Sequence, residues 1–386
     1  MNSLPSPQSP PPTRLQAPNF LIIGAAGRNV GKTEFACRLI ERYAPQQTVC
    51  AVKVTTVRDR NGQCPRGAKG CGVCGSLQEP FCITDESGAS PAKDTGRMAR
   101  AGAPRVLWLR VHADHLAAGM RALLDQIPPS AAVVCESNSA REVLDPGLFL
   151  VVREKDGEAV KPSCRNVLAL ADRVSEFAAG AWDLQPEEVV CEGQRWYLRQ
   201  PAAAAILAGG ASRRMGADKS LLPFAGVPLI EHVTRQLRPI FPEIVIGAND
   251  PAKFAFLGLP VFPDEVPGQG PLMGILSCLT QTRAELCFVT GCDIPWHNPH
   301  LINQLLQAAD GYDIVMPRSS ADRLEPLCAV YRKTVIGPAR QILRNGGRRI
   351  VALFDQVRVR FLDLPDEQWV HNLNTPDDYQ RAVRQS

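Results

Sequence analysis

The chain has 386 residues, too many for one ordinary core, and its 45% hydrophobic and 21% charged residues are usual globular values, which predicts two domains. A formal net charge of +4 is small at this length, and with no Lys/Arg block interleaved with aromatics a nucleic-acid groove has no support, whereas acidic small molecules remain open as ligands. No apolar run reaches a membrane span, and the start "MNSLPSPQSPPPTRLQAP" lacks the basic and apolar regions of a signal peptide, so the expectation is a cytoplasmic protein without a membrane partner.

Residues 1–18 are Pro/Ser-rich and predict a disordered tail. A P-loop nucleotide-binding domain is expected over 19–180. "NFLIIGAAGRNVGKTEFACRLIERY" reads as a buried strand, a glycine loop and a helix with Phe35, Leu39 and Ile40 at helical spacing. In that setting Gly31-Lys32-Thr33 is phosphate-binding: backbone N–H groups and the helix terminus hold the β/γ-phosphates, Lys32 reaches them, and Thr33 binds Mg²⁺. The loop departs from the strict spacing, because Ala26 stands between Gly24 and Gly27.

"TVCAVKVTTV", "RVLWLRV" and "AAVVCES" follow as buried strands, with a helix over His115 to Ile127, and this alternation predicts a parallel sheet. Between the first two lies "CPRGAKGCGVCGSLQEPFC". Its Cys64, Cys71, Cys74 and Cys82 form C-x6-C-x2-C-x7-C, and four thiolates suit Zn²⁺ or an iron–sulfur cluster; the alternative is a glycine-rich loop with reduced thiols. Thirteen cysteines spread over the chain argue against a disulfide framework. His112 and His115 read as surface residues. Residues 181–200 are expected to be a linker or a short hairpin about Gly193.

A second alternation fills 201–386. Strands are expected at "AAAILAGG", "EIVIGAN", "AELCFVTGCD", "YDIVMPRS" and "PLCAVYR", with helices around Leu229 to Leu237, Met273 to Thr280, Pro299 to Gln307 and Val335 to Leu343. The strand ending Leu207-Ala208-Gly209-Gly210 turns backbone N–H groups toward a phosphate, while Arg214 and Lys219 bring charge to a triphosphate and a departing pyrophosphate. Asp293, at the end of "LCFVTG", is the metal candidate. Asp264 precedes "PGQGPLMGI", whose Gly268, Gly270 and Gly274 permit close backbone approach. Asn372 and Asn374 offer amides to a polar ligand, and Thr375-Pro376-Asp377-Asp378 also reads as a helix N-cap. Cys292 reads as a buried thiol rather than a nucleophile.

"LAGGASRRMGADKSLLPFAGVPLIEHV", followed in order by "FPDEVPGQGPLMGI", "TGCDIPW", "EPLCAVY" and "NLNTPDD", resembles the signature of molybdenum cofactor guanylyltransferases of the MobA type over nearly all of 202–386. The resemblance implies a Rossmann-like nucleotidyltransferase joining GTP to molybdopterin. It also implies nucleotide contacts at Leu207, Ala208, Gly209, Lys219, Asn249 and Asp264, and magnesium at Asp293.

"AKDTGRMARAGAPRVLWL" resembles the molybdopterin-guanine dinucleotide biosynthesis adaptors of the MobB type, a looser match over most of 19–175 that implies GTP as a P-loop ligand. The family's histidines after the second strand are replaced by "KVTTVR", and its acidic-glycine strand end by Glu136-Ser137-Asn138-Ser139, which leaves hydrolysis unassigned.

The combined expectation is an α/β fusion of two Rossmann-like three-layer domains, P-loop NTPase-like then nucleotidyltransferase. Molybdoenzyme apoproteins and the enzyme of the preceding cofactor-synthesis step are the implied protein partners. Cytidylyl transfer to molybdopterin, a non-catalytic cofactor carrier and a sugar nucleotidyltransferase stay open as rivals.

Overall fold

A computed structural model of the protein describes residues 14–57, 77–157, 160–209, 218–319, 323–364 and 372–385. The chain divides into two compact units, Met1–Tyr197 and Leu198–Ser386.

The first unit is built on an eight-stranded sheet. Its strands are β1 (Leu15–Ala25), β2 (Val49–Val57), β3 (Phe81–Asp85), β4 (Arg105–His112), β5 (Ala132–Glu136), β6 (Leu144–Glu154), β7 (Arg173–Ala178) and β8 (Ala181–Trp182), in the order β3-β4-β2-β5-β1-β6-β7-β8. Central β1 pairs in parallel with β5 and β6, and Phe20 to Ile23 are fully buried, as the unbroken apolar run requires of a strand covered on both faces. Phe20 and Ile22 share a core with Leu116, Met120 and Leu123 of helix α3 (Leu116–Leu124). Helix α1 (Lys32–Tyr43), whose buried Phe35, Leu39 and Ile40 stand outside that core, packs on β1, β2 and β5. Helix α2 (Asp94–Arg100) and two one-turn helices, α4 (Ala140–Val143) and α5 (Pro162–Arg165), complete the connections.

Three expectations are corrected here. The tail does not extend to Pro18, because Leu15, Gln16 and Ala17 already pair with Leu144, Asp145 and Pro146. The sheet is mixed: β3 and β8 run antiparallel at its two edges, where short connections to β4 and β7 suffice. Ala181–Trp182 is therefore a strand of the sheet rather than the start of a linker. The hairpin about Gly193 is present as β9 (Val189–Glu192) and β10 (Arg195–Leu198), turning through positive φ at Gly193 and Gln194.

The second unit has a seven-stranded sheet of β11 (Ala203–Leu207), β14 (Glu243–Gly247), β15 (Val261–Phe262), β16 (Leu286–Gly291), β17 (Ile314–Arg318), β18 (Cys328–Arg332) and β19 (Val359–Asp363), ordered β15-β14-β11-β16-β18-β17-β19. A two-residue hairpin, β12 (Pro223–Phe224) with β13 (Val227–Pro228), stands apart. Central β11 is parallel to both β14 and β16, whereas β18 is antiparallel to β16 and β17, so this sheet too departs from the all-parallel expectation. Helix α6 (Leu229–Leu237) packs on β11. Helix α7 (Pro271–Gln281) is buried from Leu272 through Leu279 and shares the main core with β11, β16 and helix α9 (Ile336–Arg344). Helix α8 (Pro299–Gln307) covers β17 and β18, and α10 (Pro376–Gln385) follows the Asn372–Thr375 segment. Among the described residues no helix is long and apolar enough to cross a membrane.

Candidate functional site

In the first unit the glycine-loop residues expected to hold phosphate meet at the C-terminal end of β1. Helix α1 starts at Lys32 because Gly31 takes a left-handed φ of 71°, and a Cβ there would stand 2.9 Å from Phe177 and 3.0 Å from Trp182. Asn138 ties the loop to β5: its Oδ1 accepts from the Ala25 amide at 2.8 Å and its Nδ2 donates to the Ala25 carbonyl at 3.0 Å. A Cβ at Gly24 would come within 2.6 Å of that Oδ1. The carbonyl of Gly27 accepts from Lys161. A cavity of about 840 Å³ opens here, with Gly27, Lys32, Thr33, Lys53, Asp94 and Glu136 among its walls.

Four of these form a charge network. Glu136, buried at the end of β5, accepts from Lys32 at 3.1 Å, and Lys53 stands 4.0 Å from the same oxygen while pairing with Asp94. Among the described residues the other Glu136 oxygen, the buried Oε1, has no hydrogen-bond partner. Burial alone would raise the Asp94 pKa, but the hydrogen bond and charge of Lys53, the charge of Lys32 and the Thr33 hydroxyl outweigh it and hold the pKa below its ordinary value. Lys53 and Asp94 carried no sequence signal of their own, although both lie in stretches quoted above.

Of the four cysteines expected to share an ion, Cys64, Cys71 and Cys74 lie outside the described residues. Cys82 sits on β3, where its sulfur accepts from Arg110 at 3.4 Å. Among the described residues no cluster of three His, Cys, Asp or Glu is arranged for a metal ion, and the cysteines are free thiols. His115 is exposed and His112 half-buried.

In the second unit the residues gather at the C-terminal ends of β11, β14 and β16. The Ala208 amide donates to Gly247 at 2.9 Å, and the Cys292 amide to Leu207 at 3.1 Å, which fixes Leu207 and Ala208 between the neighbouring strands, with Gly209 next in the chain. Gly210 and Arg214 lie outside the described residues. Lys219 opens a 3-10 turn (Lys219–Leu221) capped by Asp218, whose Oδ1 accepts from the Ser220 amide at 3.0 Å and hydroxyl at 2.5 Å and whose Oδ2 pairs with Lys253. The Lys219 ammonium lies 3.5 Å from Asp293 Oδ2. A Cβ at Gly291 would stand 2.5 Å from Asp293 Oδ1, so only glycine leaves that oxygen room.

Asn249 and Asp264 clasp each other: Asn249 Nδ2 donates to the carboxylate at 3.0 Å, and the Asp264 amide donates to Asn249 Oδ1 at 2.8 Å. Gly270, at φ 80°, heads α7, and a Cβ at Gly274 would make only ordinary contacts with Leu207 and Asp264. The asparagine pair joins the same end of the sheet through Leu373, whose amide donates to the Asp293 carbonyl at 2.8 Å. Asn372 donates to Glu325 at 3.1 Å, and the Asn374 amide donates to Asp378 at 3.2 Å. Thr375 caps α10, its hydroxyl accepting from the Asp378 amide at 3.1 Å. Burial, reinforced by Asp293, pushes the Cys292 thiol up to about 12, which leaves it protonated and unsuited to nucleophilic attack. Asp218, Lys253 and Glu325 were not singled out from sequence.

Residues 204–359 match the family described as the MobA-like NTP transferase domain. A probable molybdenum cofactor guanylyltransferase of Carboxydothermus hydrogenoformans is 36% identical over 192 residues, 48% of this chain and 96% of that protein. The molybdenum cofactor guanylyltransferase of Haemophilus influenzae is 33% identical over 188 residues, 47% of this chain and 97% of that protein. The solved structure of molybdopterin-guanine dinucleotide biosynthesis protein A from Archaeoglobus fulgidus is 26% identical, covering 47% of this chain and 97% of that one with a TM-score of 0.43.

Proposed function

Because the chain belongs, through its second unit, to the molybdenum cofactor guanylyltransferase family and is a nucleotidyltransferase, we propose that this unit transfers GMP from GTP to molybdopterin and that the first unit is a GTP-binding adaptor. A phosphate-monoester oxygen of molybdopterin attacks the α-phosphorus of GTP; the new P–O bond forms as the bond to the bridging oxygen breaks, and pyrophosphate leaves. The attacking oxygen is anionic at neutral pH, so no activated serine or cysteine is needed, in keeping with the protonated Cys292. The observation that carries this reading is the meeting of Lys219 and Asp293 at the ends of the parallel strands.

Asp293 suits Mg²⁺, being a carboxylate with a 28% exposed side chain and one oxygen kept clear by Gly291. Asp293 would hold one Mg²⁺ in the second unit and Thr33 a separate one in the first, and each ion would supply charge neutralisation on the phosphates bound beside it. Lys219 turns from Asp293 toward the departing pyrophosphate. The Asn249–Asp264 clasp presents the nucleotide contacts, and Leu373 fixes the Asp293 backbone beside the asparagine pair. Catalysis rests on alignment and charge.

The test is the purified chain with molybdopterin, Mg²⁺ and each of the four nucleoside triphosphates, with dinucleotide product as the readout. Guanine dinucleotide from GTP is expected. Equal or better use of CTP would reassign the base, and absence of any product would leave a cofactor carrier.

A further inference from the structure

We propose that Lys53 is a second phosphate-binding lysine of the first unit's cavity, exchanging its ion pair with Asp94 for the terminal phosphate of a bound nucleoside triphosphate. The inference rests on the P-loop reading of that cavity and extends it to a residue outside the loop. Lys53 lies on β2 directly opposite Glu136 of β5, so both side chains leave the sheet on one face beside the helix that starts at Lys32. One buried carboxylate thereby sets two ammonium groups at the cavity wall: Glu136 Oε2 is 3.1 Å from Lys32 and 4.0 Å from Lys53. The Glu136 side chain is fully buried, so its charge depends on these ammonium groups rather than on bulk solvent.

The second partner of Lys53 differs in kind. The Asp94 side chain is 43% exposed, and Asp94 heads the separate helix α2, so this half of the Lys53 pairing can be given up without burying a bare charge. A terminal phosphate entering beyond Lys32 competes with Asp94 for the same ammonium. A diphosphate, held by the loop amides and Lys32, lacks the group that Lys53 would meet. The arrangement thus discriminates triphosphate from diphosphate by charge and reach.

The experiment is calorimetric titration of the full chain with GTP and with GDP in Mg²⁺, taking as the cavity's share the binding that Lys32→Ala removes. Lys53→Met should weaken that share for GTP by about 10- to 100-fold, the scale of one charge-assisted contact, and change it for GDP by less than about threefold. Lys53→Arg should recover most of the GTP affinity, and Asp94→Asn, which removes the competitor, should tighten GTP several-fold. Equal losses for GTP and GDP in Lys53→Met with no change in Asp94→Asn would overturn the proposal while leaving the P-loop reading intact. Should Lys53→Met fail to fold, Lys53→Arg and Asp94→Asn decide, and GTP affinity unmoved in Asp94→Asn counts against the exchange. If Lys32→Ala removes no binding at all, the P-loop reading falls and Lys53 with it.

Discussion

Lys219 and Asp293, 74 positions apart in sequence, face each other at 3.5 Å across the ends of β11 and β16. A partly exposed ion pair of this kind contributes only about 0–1 kcal/mol to stability, so its position points to work on a ligand. Lys219→Ala and Asp293→Ala should each lower guanylyl transfer by about 10²- to 10³-fold and leave the unfolding midpoint nearly unchanged. The double variant should lose little more than either single one, because both groups act on the same phosphates. Steady-state kinetics alongside thermal melts provide the check, and unchanged turnover in Asp293→Ala would remove it from the site.

Gly291→Ala is a subtler probe of the same carboxylate. The new methyl would stand 2.5 Å from Asp293 Oδ1, and the carboxylate can yield by rotating away. Turnover should fall by about tenfold or more, as expected for a displaced transition-state contact. Gly274→Ala, whose methyl meets its neighbours at 3.5 Å or beyond, should keep most activity. The reverse ranking of the two variants would count against the role of Asp293.

The clasp between Asn249 and Asp264 sets the loop between β15 and α7. Asn249→Ala removes both hydrogen bonds at once, so KM for GTP should rise by about tenfold, the scale of one or two such bonds, with a smaller effect on turnover. A fall in turnover with KM unchanged would assign the pair to the chemical step instead.

His297 links the second unit's stability to pH. It is buried, its Nε2 is hydrogen-bonded to the Thr290 hydroxyl at 2.8 Å, and burial followed by the nearby His232 lowers its pKa from 6.5 to about 3. Between those values the unfolded chain binds the extra proton, so the contribution is fully present above about pH 6.5 and is lost as pH falls toward 3, by about 1.4 kcal/mol per pH unit. Urea unfolding at a series of pH values should show this slope, and His297→Gln should reduce it by the equivalent of one proton. An identical slope in the variant would contradict the burial effect.

Lys32→Ala should abolish nucleotide binding in the first unit and spare guanylyl transfer. The phosphate sites proposed for the two units share no residue. Loss of transfer in this variant would mean that the sites are coupled.

Much of this was legible because apolar runs are local. "FLIIG" and "VVCE" are buried strands with parallel neighbours, "LCFVTG" is a buried strand between parallel β11 and antiparallel β18, and Gly31 precedes the helix that Lys32 and Thr33 begin. Lys219, read from the sequence as lying beyond a strand end, opens a 3-10 turn after β11, and Asp293 lies two residues past β16. Pairings between distant residues were not legible: nothing in "KVTTVR" says that Lys53 meets Asp94, nor does "DPAKF" announce the bond from Lys253 to Asp218. Leu15–Ala17 was hidden by proline-rich neighbours, since composition cannot reveal that Leu144–Pro146 offers it a partner. β19 did carry a signal, the alternation of Val357, Val359 and Phe361 with Arg358 and Arg360.

The β9–β10 hairpin decides where the first half could be excised. Trp196 is fully enclosed and donates to the Asn19 carbonyl at 3.0 Å, the Tyr43 hydroxyl donates to Val189 at 2.9 Å, and the Trp196 and Tyr43 rings meet edge to face at 5.2 Å. A gene fragment ending at residue 180 would strip that indole from beside β1 and α1 and take Val189 and Cys191 away from the Tyr43 hydroxyl, whereas one ending at Tyr197 carries its own lid.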